Sequence, residues 1–228
     1  MKDFGQRWFV LLIVVLAMAF AGCGQSNPPS LALVAEDEIA GTPTPSAPAT
    51  EEPLTVALVM KTLTNPFFVA MEQGARQAEA DLGIRLVVKT GAQETSIEQQ
   101  IAIVRELIGA GVDAIVIAPA DSTELVPVLA EAQAAGISIV NIDNQLDARS
   151  MAARGMTAVP YISVDNEEGA YNSAKTISDQ LTAPTAVILL EGIRTAKNAD
   201  DRRRGAERAF AENPNVTLVA KETANWKR

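Results

Sequence analysis

From Leu54 onward, short apolar runs alternate with longer amphipathic stretches. Seven runs rich in β-branched and aliphatic residues read as strands, at 54–60, 85–89, 113–118, 138–143, 161–165, 185–191 and 216–222. Runs such as "DAIVIA" and "TAVILLE" are apolar almost throughout, which marks strands covered on both faces, as in parallel sheets. Between strands, "PFFVAMEQGARQAEADLG", "SIEQQIAIVRELIGAG" and "TELVPVLAEAQAAG" carry a helical period, and each closes on glycine. Glycine accepts the left-handed backbone of a helix C-terminus. This strand and helix rhythm predicts an α/β fold built on doubly wound parallel sheets.

The rhythm breaks once. "NQLDARSMAARGMTAVP", after Asp143, is too irregular for a crossover helix, and "YISVDNEEGAYNSAKTISDQL" starts the pattern afresh. A first lobe is expected over 54–164 and a second over 165–228. The second has about 60 residues, below the usual domain size, and is expected to be incomplete.

The first 53 residues follow no such rhythm. Lys2 and Arg7 flank Asp3, and "WFVLLIVVLAMAF" then runs apolar from Trp8 to Phe20. That is short for a membrane span and reads as a signal peptide over 1–22. Small residues lead into Cys23, the only cysteine, in a pattern that resembles the lipobox of bacterial lipoproteins, with Phe20 where an aliphatic residue is usual. The resemblance implies that Cys23 becomes the first residue of the mature chain and carries a lipid anchor to the membrane. The alternative is an ordinary secretory signal, and either places the mature chain outside the cytoplasm. Residues 24–53 contain six prolines and many small polar residues, so 23–53 is expected to be a tether.

Charge and composition narrow the chemistry. Removing 1–22 takes Lys2, Arg7 and Asp3 from 19 basic and 28 acidic residues, leaving a net charge of about −10. Nucleic acid is not an expected partner of so acidic a chain. There is no histidine, so the commonest general base and metal ligand are missing. "GAGVDA" lacks the third glycine of a dinucleotide loop, no phosphate-binding GK[ST] occurs, and no nucleophile and base stand together. No enzyme, metal or cofactor is expected.

"TNPFF" at 64–68 offers another kind of chemistry. Asn65 and Pro66 suit a helix start. Adjacent phenylalanines point about 100° apart on a helix, so they cannot both face one core. One can pack inward while the other presents an apolar face to the crevice at the strand ends, a surface on which a sugar ring can stack.

With "APADSTELVPVLAEAQAAGISIVNIDNQ", "YISVDNEEGA" and "LLEGIRTAKNADDRRRGAERAF", this motif resembles the periplasmic sugar-binding proteins of the ribose and galactose type. The likeness runs from Leu54 to the last residue, through the whole first lobe and part of the second. It implies a two-lobed periplasmic-binding-protein fold, a monosaccharide ligand and an ABC transporter permease as partner. A sugar-sensing receptor module signalling to a membrane partner is the alternative. On the matching motifs it implies that Asn65 and Phe68 touch the sugar, with Phe67 close by, and that Asp143 accepts from its hydroxyls. The next position, commonly arginine in ribose binders, is Asn144, which is expected to bind the ligand too and leaves the sugar's identity open. Arg202 corresponds to the family's arginine before a glycine, although with Arg203 and Arg204 it also reads as a solvated basic face. Trp226 corresponds to the second aromatic platform, although it also reads as a frayed end. Asp121 is expected in an exposed turn.

Overall fold

The computed structural model describes residues 52–157 and 159–226. Five strands, β1 (Thr55–Met60), β2 (Arg85–Thr90), β3 (Ala114–Ile117), β4 (Ser138–Ile142) and β5 (Tyr161–Ile162), form one sheet in the order β2-β1-β3-β4-β5. Every pairing in it is parallel. Two further strands, β6 (Thr185–Glu191) and β7 (Val216–Thr223), pair in parallel as a second sheet.

The first sheet is covered on both faces, as its apolar runs require. Along β1, Ala57 and Val59 enter one core with α2 (Ile97–Ala110) and α3 (Val126–Ala134), while Leu58 and Met60 enter another with Phe68 of α1 (Pro66–Leu82). Successive strand residues point to opposite faces, so one apolar run serves two cores. Asn65 caps α1, its side chain accepting from Phe67 N, and Gly83 and Gly111 close α1 and α2 with φ of 64° and 66°.

Three local expectations are corrected. α3 starts at Val126 rather than Thr123, because the buried Asp121 side chain accepts from Thr123 N and Glu124 N at 2.7 and 2.8 Å. Asp121 is thus a buried turn-former, not an exposed aspartate. The irregular stretch after Asp143 contains a short helix, α4 (Ala148–Ala153), started by Asp147, whose side chain accepts from Ser150 N.

The chain leaves the first sheet at Ile162 and enters α5 (Asn166–Ser178) after three intervening residues. In the second lobe α5 packs on α6 (Lys197–Ala211), with Ala174, Ala206 and Ala209 buried and Leu189 of β6 set against them. The other side of this sheet carries the exposed Ile188, Leu190 and Val219. The second sheet is therefore half-covered among the described residues, in keeping with an incomplete lobe.

Candidate functional site

Parallel strands end on a crevice where side chains of several loops converge. β1 is followed there by Lys61 and β4 by Asp143. The Lys61 Nζ stands 3.0 Å from Asp143 Oδ2, with side chains only 2% and 8% exposed. Asp143 has φ of 60°, in the left-handed region that aspartate enters more readily than most residues. Its backbone is pinned: its N–H donates to Ile162 O at 3.2 Å, and Tyr161 Oη and Ser163 Oγ each donate to its carbonyl at 2.9 Å. The carboxylate is thereby aimed. Its Oδ1 accepts from Asn198 Nδ2 of α6 at 3.1 Å. Asn198 Oδ1 is buried with no partner among the described residues, so a polar acceptor is left open beside the carboxylate.

The two phenylalanines divide as a helix start demands. Phe68 is 2% exposed and packs in the core beneath β1, whereas Phe67 is 53% exposed. Their rings meet edge to face at 5.1 Å and 74°. Both rings border the crevice, Phe68 as the buried ring beneath and Phe67 as the larger apolar surface. Asn65 both caps α1 and donates through Nδ2 to Glu94 Oε1 at 2.8 Å.

Trp226 lies opposite. It rests on Gly192, where any Cβ would overlap the indole, and packs with Ile193, Ala196 and Ala199. The Lys61 ammonium stands 4.7 Å from its ring centroid, a cation–π separation. Arg202 differs from its neighbours. Arg203 pairs with Asp200 and Glu207, and Arg204 with Asp200, Asp201 and Glu167, whereas Arg202 has no carboxylate partner among the described residues. Its Nε donates to Asn166 Oδ1 at 2.9 Å. The hydrogen bond from Arg203, above all, holds the Asp200 carboxyl below its ordinary value of 3.8.

Asn65, Phe67, Phe68, Asp143, Arg202 and Trp226 thus line one hollow of about 200 Å³, together with Lys61, Glu94 and Asn198. Its size suits a small polar molecule rather than a drug-sized one. Asn144 is not among them. It is fully buried, its Nδ2 donating to Pro119 O at 3.1 Å and its Oδ1 accepting from Ser122 Oγ and Asn198 N at 3.3 Å. The expectation that it touches the ligand is corrected, because every polar atom of its side chain is already engaged elsewhere. A larger hollow of about 480 Å³ is bounded by α5, β6 and α6 and lined mostly by apolar side chains. It lies within the second lobe and shares Arg202 and Trp226 with the smaller one.

Lys61, Glu94 and Asn198 escaped the sequence reading. Lys61 did carry a signal: a lone cation directly after the apolar run "LTVALVM" belongs at the carboxyl end of a strand. Glu94 lies in a loop after β2 and Asn198 at the start of α6, and only the fold brings either to the crevice.

Comparisons with known proteins define the family. The periplasmic binding protein domain family matches residues 56–228, and the chain belongs to that family. It is 39% identical over 180 residues to a D-ribose/D-allose-binding protein of Pseudomonas aeruginosa, covering 78% of this chain and 56% of that protein. It is 31% identical over 173 residues to a D-allose-binding periplasmic protein of Escherichia coli, covering 75% and 56%. Among solved structures, an ABC transporter periplasmic solute-binding protein from Actinobacillus succinogenes with bound D-allose superposes with a TM-score of 0.71 at 39% identity, covering 77% of this chain and 61% of that one. The chain spans a little over half the length of the curated relatives it matches.

Proposed function

We propose that this chain is the sugar-capturing part of an extracytoplasmic solute-binding protein that delivers a monosaccharide to an ABC importer. The observation that carries this is the pinned Asp143 carboxylate between Lys61 and Asn198, beside the exposed face of Phe67 and facing Trp226. A carboxylate can accept from two hydroxyls at once, while Asn65 and Arg202 supply donors, which is the pattern a polyol requires. The apolar faces take the C–H side of the ring. The likeness to a D-allose complex supports this ligand class. That the family and the named relatives are binding proteins supports binding rather than turnover as its chemistry.

Because the second lobe is half-covered, the site should hold sugar weakly. Titration of the chain with D-allose and D-ribose, followed by ligand-observed NMR, is expected to show a dissociation constant of about 1 mM, roughly 4 kcal/mol. The contact should disappear in Asn65→Ala. No contact with any aldose would overturn the sugar reading, and micromolar affinity would show that the site is already whole.

Cys23 and the tether over 23–53 fall almost wholly outside the described residues, and among those described no helix is long and apolar enough to cross a membrane. The proposed anchor is lipid on Cys23, from the small residues that lead into it and the proline-rich stretch that follows. Cys23→Ser is expected to move the protein from the membrane fraction to the soluble fraction, and unchanged sedimentation with membranes would rule the anchor out.

A further inference from the structure

The start of α6 is capped by the other lobe. A helix leaves its first N–H groups without partners in the helix, and a side-chain oxygen at the N-cap usually takes one of them. α6 begins after Ala196, which has no such oxygen. Its first two N–H groups reach across the crevice instead: Lys197 N donates to Ser122 Oγ at 3.0 Å, and Asn198 N donates to Asn144 Oδ1 at 3.3 Å. Ser122 Oγ donates in turn to Asn144 Oδ1 at 3.3 Å, and Ser122 N donates to Thr195 O at 3.4 Å. Ser122 and Asn144 belong to the loops after β3 and β4, are both buried, and neither lines the hollow of about 200 Å³.

We propose that Ser122 and Asn144 are positioning residues that latch the lobes shut by capping α6 across the crevice. Opening the lobes uncaps α6, so the closed form is favoured before any ligand arrives. The affinity of a two-lobed binder scales with the fraction already closed. Losing one cap should shift the ratio of closed to open forms about fivefold toward open. The latch accounts for Asn144, a side chain that makes no contact with the hollow yet has every polar atom engaged.

The test reads the distance between lobes and needs no sugar, so it stands apart from the ligand assignment. In the full chain with Cys23→Ser, labels at Glu98→Cys on α2 and Asn172→Cys on α5 report that distance. Ser122→Ala is expected to raise the long-distance population about fivefold in ratio, and Ser122→Thr, which keeps the hydroxyl, to restore it. Ala196→Ser gives α6 a cap of its own whether the lobes are open or shut. In that background Ser122→Ala should change the distances less. An unchanged distribution in folded Ser122→Ala would overturn the latch. So would a drop in unfolding midpoint with no change in distance, because that is what a merely structural serine would give.

Discussion

Asp143→Ala is expected to destabilise the chain by about 3–5 kcal/mol, independently of any ligand. The substitution leaves the Lys61 ammonium, which is 2% exposed and 3.0 Å from the lost carboxylate, without its countercharge. Breaking one side of a buried ion pair costs far more than the pair contributes while intact. The rings of Trp226 and Phe68 lie 4.7 and 5.9 Å from the ammonium, and their attraction cannot replace a full countercharge. The double variant Lys61→Met with Asp143→Asn should recover most of the stability, since it removes both charges and asparagine keeps the shape and accepts the left-handed backbone. It should recover none of the sugar contact. Urea unfolding followed by circular dichroism separates these outcomes, and a loss below about 1 kcal/mol in Asp143→Ala would mean that the pair behaves as an exposed one.

Gly205→Ala is expected to cost about 2–3 kcal/mol, and the loss should fall on the second lobe. A Cβ at Gly205 would overlap the Glu167 carbonyl oxygen and stand 2.8 Å from Tyr171 N, so α5 and α6 touch backbone to backbone at this residue. Pushing the helices apart also opens the contact among Ala174, Ala206 and Ala209. Overpacking of this kind outweighs the roughly 1 kcal/mol that alanine otherwise gains over glycine inside a helix. Gly74 in α1 provides the control, because nothing lies within 4 Å of a Cβ there. Gly74→Ala should stabilise by about 0.5–1 kcal/mol. A Gly205→Ala protein as stable as its parent would show that the two helices are free to separate.

Much of the fold could be read from sequence because period and punctuation agreed. All seven strands occur where apolar runs stand, and Asn65, Gly83 and Gly111 mark helix ends by chemistry that acts within a few residues. The site was harder to read, because its parts meet across the chain. Asp143 and Asn198 are 55 positions apart, and only the packing of α6 against the first lobe brings them together. The choice between Phe67 and Phe68 turned on which one β1 covers. For Asn144 the burial of the loop decided the matter, and an isolated asparagine after an aspartate carries no sign of that.

The half-covered sheet of the second lobe bears on how copies of this chain behave in a crowd. Among the described residues β6 has a free edge as well as a bare face, and from Thr185 to Leu190 it carries no charge to discourage another strand from adding to it. β7 is guarded differently, since Lys221 and Glu222 stand exposed along it. A strand that invites pairing beside one that repels it favours two-fold joining through β6 over open-ended ribbons. Crowding should therefore produce pairs of chains that bury Ile188 and Leu190 before it produces fibres.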